Sequence, residues 1–147
     1  MRTHVALGQE LLGVPVRKVP AFYITCEDDA NELHRRQKAI CDSMGARLED
    51  LEGKLFLVSL TGETDNALAT FDQQGRLRIE PRYRQIEDAV LMHPGALVVL
   101  DNVAHMTADE INRSAVAGFV NLLNRLAIRA GGAVLFLGHP NKTGDQF

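Results

Sequence analysis

Four short apolar runs each end in side chains able to do chemistry. Residues 21–26 (AFYITC) run into Glu27-Asp28-Asp29, and residues 55–60 (LFLVSL) into Thr61-Gly62. Residues 96–100 (ALVVL) run into Asp101-Asn102, and residues 133–137 (AVLFL) into Gly138-His139-Pro140-Asn141-Lys142-Thr143-Gly144. A carboxylate directly after a wholly apolar run can hold a hydrated Mg2+, which keeps several waters and needs only one or two carboxylates. A second carboxylate nearby can polarise a water for attack, and a histidine and a lysine can stabilise charge on a phosphoryl group. Asp101, Glu27, His139 and Lys142 are therefore the candidates for phosphate and magnesium chemistry. Each has a plainer reading. Asp101 could be a helix cap or loop carboxylate, Glu27 a first-turn acid favoured by a helix dipole, His139 a satisfied loop histidine and Lys142 a solvated lysine. Asp28 and Asp29 read better as caps than as ligands, and Cys26 as a buried strand residue. His4, His34, His93 and His105 share no metal-ligand spacing. Arg35, Arg36 and Lys38 read as a solvated helix face, while Asn112 and Arg113 fit either structure or partner contact.

What brings such residues together must be the elements between them. The four runs are rich in β-branched and aromatic residues and almost wholly apolar, as strands buried on both faces of a parallel sheet are. Helical patterns separate them. Residues 4–12 (HVALGQELL) read as a short helix. Asp29-x-x-Glu32 can open a second, with Leu33, Ile40 and Met44 on one face and Gly45 as its stop. A third fits residues 83–92, before His93-Pro94-Gly95. The longest fits residues 107–129, opened by Thr107-x-x-Glu110, with Ile111, Ala115, Phe119, Leu122, Leu123 and Leu126 as its apolar stripe, and closed by Gly131-Gly132. Residues 68–80 alternate polar and apolar side chains around Gln73-Gln74-Gly75, the pattern of an inserted β-hairpin. The fold class is α/β, a mostly parallel sheet flanked by helices with right-handed crossovers. In such sheets ligands gather at the carboxyl ends of the strands, where all four candidates fall.

Composition narrows the class. The 147 residues suit one domain with a real core; 46% are apolar and 24% charged, which excludes a disordered, collagenous or disulfide-framed chain. The net charge of −3 withholds the overall basic footprint of a nucleic-acid binder. No run nears the roughly 18 apolar residues of a membrane span, no secretory signal opens the chain, and Cys26 and Cys41 suit a reduced, cytoplasmic setting.

The ordered set FYITCEDD…ELHRR, LFLVSLTG, LVVLDNV, EINRSAVAGFVNLLNRLA and AVLFLGHPNKTG resembles the RecA-like P-loop ATPases of the plasmid and phage RepA type, AAA-family relatives of hexameric replicative helicases. The resemblance runs through nearly the whole chain. It implies ATP and Mg2+ as cofactors, with Asp101 as the Walker B aspartate that orients Mg2+ through water. It implies Glu27 as the glutamate that activates the attacking water and His139 as the sensor of the γ-phosphate. Lys142, with Thr143 beside it, becomes a nucleotide-binding candidate in a segment that can reach a neighbouring subunit. A homo-oligomeric ring and a link to DNA replication or unwinding are implied in the same way.

One departure from the family pattern is large. The phosphate loop G-x-x-x-x-G-K-[ST] is absent: Gly53-Lys54 is followed by Leu55, and Lys142-Thr143 is preceded by Asn141. Residues 4–12 match the helix that follows this loop. The expectation is therefore a single partial RecA-like domain over residues 1–147, lacking its first, phosphate-loop strand, from a longer ATPase. Two other readings compete. A phosphoacceptor receiver domain would use Asp28-Asp29, Asp101 and Lys142, and a non-catalytic oligomerisation module would explain the missing loop.

Overall fold

The computed structural model describes residues 1–107 and 113–138. Their elements alternate. Helix α1 (Arg2–Leu7) precedes β1 (Ala21–Thr25), α2 (Ala30–Met44), a 3-10 turn at Leu48–Leu51 and β2 (Leu55–Ser59). The short strands β3 (Ala69–Phe71) and β4 (Leu77–Ile79) follow, then α3 (Pro81–Leu91), β5 (Leu97–Asp101), a 3-10 turn at Val103–His105, α4 (Arg113–Ala130) and β6 (Ala133–Phe136).

The apolar runs become one parallel sheet in the order β2-β1-β5-β6. Pairing is in register, with Ala21 opposite both Leu55 and Leu97, and Leu97 opposite Ala133. The two-residue repeat of a strand sorts its side chains onto two faces. Phe22, Ile24, Val98 and Leu100 pack under α3 and α4, against Tyr83, Val90, Phe119, Leu123 and Leu126. On the opposite face Tyr23 and Val99 pack with Leu33 of α2, and Ala21 packs with Ala6 of α1 and Cys41. This is an α/β fold with a parallel four-stranded sheet flanked by helices, consistent with a RecA-like core. β3 and β4 form a separate antiparallel pair, joined to the chain after β5 by a bridge between Ala69 and Thr107.

Local contacts explain where the structure departs from the sequence reading. The first helix ends at Leu7 rather than at residue 12, because Gly8 turns left-handed (φ 70°) and its amide caps the carbonyls of His4 and Val5. A Cβ at Gly8 would also lie 2.8 Å from Cβ of Lys18, so the chain turns back over itself there. Thr107 is held in a bridge to Ala69, and its hydroxyl lies 3.5 Å from the Val103 carbonyl; Glu110 and Ile111 of the expected helix start lie outside the described residues. Besides Leu33 and Cys41, α2 also buries a polar residue, Gln37. Gln37 is 2% exposed and hydrogen-bonded to Thr3 Oγ1 at 3.0 Å, tying α2 to α1.

The other helix signals act as their chemistry requires. Asp29 caps α2 by accepting from the Glu32 amide at 2.8 Å, and Pro81 occupies the first turn of α3. Gly132 is needed for closeness rather than for a left-handed turn. A Cβ there would sit 2.0 Å from the Ala96 carbonyl oxygen, where the end of α4 passes the start of β5. No helix among the described residues is long and apolar enough to cross a membrane.

Candidate functional site

Strand order decides where the site lies. From β1 the chain steps to one side to make β2, then crosses to the other side of β1 to make β5 and β6. The direction of winding reverses between β1 and β5, and the crevice beyond the carboxyl ends of such a pair is where open α/β sheets bind ligands. Glu27 and Asp101 stand at that crevice. Thr25 is the register partner of Asp101, and the Cys26 amide donates to the Asp101 carbonyl at 2.9 Å.

The turn carrying Glu27 is fixed from several sides. The Glu27 amide donates to Thr25 Oγ1 at 3.1 Å, and Ser59 Oγ donates to the Asp28 carbonyl at 2.7 Å. The Glu27 carboxylate is held directly, with Asn102 Nδ2 donating to its Oε1 at 2.6 Å. Asn102 is 2% exposed, so burial of its amide is offset by this charge-assisted bond. Its Oδ1 is buried and has no partner among the described residues. Asp101 is held by a different strand: Tyr23 Oη donates to its Oδ2 at 2.5 Å. The Arg2 guanidinium lies 3.9 Å from the centroid of the Tyr23 ring. Burial pushes the Tyr23 phenol up to about 12, helped by the hydrogen bond to Asp101. Burial pulls the Arg2 guanidinium down, against the pull of Tyr23, Asp101 and Asp28.

This donor set fits Mg2+. It is made of oxygens, from Asp101, Glu27 and the unpartnered Oδ1 of Asn102, and a hard cation takes oxygen ligands. Among the described residues no group of three or more His, Cys, Asp or Glu could hold a metal ion.

The neighbouring acids have structural duties. Asp28 accepts from Arg36 Nη1 at 2.6 Å, and Asp29 is spent as the α2 cap. Neither is left as the free acidic pair that a receiver domain needs. Arg35 and Arg36 both bond Glu32, whose carboxyl they hold down to about 2. On the β3–β4 side of the rim a polar cleft of about 540 Å3 opens beside Cys26, lined by Glu63, Asp65, Asn66, Glu80 and His105 among others. Burial pushes the Cys26 thiol up, away from the thiolate form.

Glu27 and Asp101 are thus brought to one rim, while His139, Lys142, Thr143 and Asn112 lie outside the described residues. Asn102 and Tyr23 are the contributors that sequence reasoning missed. Asn102 carried one signal, its place directly after Asp101. Tyr23 carried another, the lone hydroxyl within residues 21–24 of an otherwise apolar strand.

A family model described as an AAA domain matches residues 1–145 of the chain. No curated protein matches it.

Proposed function

The chain belongs to the AAA domain family, a nucleotide-binding ATPase-type family, and from that premise we propose that Glu27 and Asp101 form the magnesium- and water-handling rim of an ATP-hydrolysing site. The observation that carries this reading is Glu27 gripped by Asn102 beside Asp101, at the point where the sheet reverses its winding. With the cation bound, Asp101, its carboxylate fixed by Tyr23, would orient one of the cation's waters. Glu27, aligned by Asn102, accepts a proton from the attacking water. When bound, Mg2+ neutralises charge on the phosphate oxygens. The 147 residues hold no G-x-x-x-x-G-K-[ST] nest.

The finer assignments rest on the resemblance in residue order. His139 senses the terminal phosphate, Lys142 and Thr143 contact nucleotide, and the working form is a homo-oligomeric ring coupled to DNA replication or unwinding. Charge lends DNA binding no support, since the net value is −3.

The test is Glu27→Gln in the assembled, hydrolysing protein, with ATP binding and single-turnover hydrolysis measured separately. The amide keeps the hydrogen-bonding shape and loses the base. Binding should stay within about 2-fold while hydrolysis falls by about 100-fold or more, the usual worth of a general base. Unchanged hydrolysis, or equal losses in both, overturns the role.

A further inference from the structure

We propose that Tyr23 is a positioning residue that fixes the Asp101 carboxylate and so aims it at the water of a cation at this rim. The proposal rests on the reading of Asp101 as the magnesium-handling carboxylate. Tyr23 is 6% exposed and packs among Leu33, Val99 and Leu57, where phenylalanine would fill the space as well. Its hydroxyl is the difference, and a buried hydroxyl needs a partner. Tyr23 stands opposite Val99 in the register, and Asp101 lies two residues further along β5, on the same face. The phenol therefore reaches one pleat repeat along the sheet to donate to Asp101 Oδ2 at 2.5 Å.

Arg2 holds the ring from one side, its guanidinium 3.9 Å from the centroid. The Nε of Arg2 is buried without a hydrogen-bond partner among the described residues, and its guanidinium also feels the charges of Asp101 and Asp28. Arg2, Tyr23 and Asp101 thus form a stack running from α1 through β1 to β5.

The chemical consequence concerns orientation. A phenol bonded to one oxygen of Asp101 fixes the rotamer of the carboxylate, so its other oxygen keeps one direction toward the water of a bound cation.

The test titrates Mn2+ into the assembled, nucleotide-bound protein as wild type, Tyr23→Phe and Asp101→Asn, reading bound metal by electron paramagnetic resonance. Tyr23→Phe should weaken Mn2+ binding by about 10-fold, as loss of a bond to a metal-facing carboxylate does. A residue that only fills space would leave it unmoved. Arg2→Lys, which keeps the positive charge near Asp101 and loses the planar stack on the ring, should weaken Mn2+ by about 3-fold and serves if Tyr23→Phe fails to fold. Unchanged Mn2+ affinity in Tyr23→Phe, with Asp101→Asn weakened, overturns the positioning role alone. Should Tyr23→Phe not fold, unchanged Mn2+ affinity in Arg2→Lys overturns it. Unchanged binding in Asp101→Asn overturns the metal reading and the proposal with it.

Discussion

Tyr23 and Tyr83 are the only tyrosines of the chain, and both phenols are pushed up to about 12. Burial is the first cause in each; the bond to Asp101 adds to it for Tyr23, and the charge of Glu87 for Tyr83. A raised phenol favours the neutral form in the folded state. Its stabilisation is full below the unfolded value of 10 and is lost as pH rises through the folded value of about 12. Tyrosinate absorbance of the native protein should stay flat through pH 10 and climb near 12, while the urea-unfolded chain titrates near 10. A native tyrosinate step near pH 10 would contradict the burial of both hydroxyls. Glu27 and Asp101 were legible because each directly follows an apolar run. The roles of Asn102 and Tyr23 were not, because they consist in reaching residues 75 and 78 positions away.

Between elements, a small polar cluster joins α3 to α4 within a largely apolar face. Arg129 Nη1 lies 2.5 Å from Glu87 Oε1, and the Glu87 side chain is 8% exposed against 44% for Arg129. Tyr83 Oη lies 3.3 Å from the same carboxylate oxygen and 3.3 Å from the Leu122 carbonyl. Arg129→Met would leave a buried carboxylate facing little but a phenol. Losing one partner of a fully buried pair costs about 3–5 kcal/mol; with Arg129 partly solvated, about 1–3 kcal/mol is expected. Urea unfolding measures this, and the double variant Arg129→Met/Glu87→Leu should recover part of the loss by removing the stranded charge. A single variant within about 0.5 kcal/mol of wild type, the scatter of an ordinary surface change, would show the pair to be idle. The stripe of α4 was readable from its helical period, and Ala115, Phe119, Leu122, Leu123 and Leu126 are all buried. Gln37 was not readable as a core residue, because its burial depends on Thr3 of another helix.

Across the whole molecule, the sheet grades from centre to edge. β1 is buried along its full length and paired on both sides, whereas β6 carries Leu135 at 37% and Phe136 at 41% exposure. Amides buried in the middle of a core open only with global unfolding, and edge amides open locally. Native-state hydrogen exchange should therefore find residues 22–25 the slowest of the strand amides and residues 134–136 markedly faster. Equal protection in β1 and β6 would mean that β6 is covered in solution. The same centre carries the candidate site: β1 and β5 hold Tyr23, Asp101 and the turn to Glu27 on the most stable part of the scaffold, which suits groups that must not drift.

By itself the sequence determined the class of the fold and the two carboxylates at its rim. Strands buried on both faces must be apolar throughout, so their ends stand out as the first places where polar residues are permitted. Tertiary structure decided the strand order β2-β1-β5-β6 and hence which ends meet. It also decided that Asn102 would hold Glu27 and Tyr23 would hold Asp101. Those pairings depend on contacts between strands far apart in the chain, which local pattern does not encode.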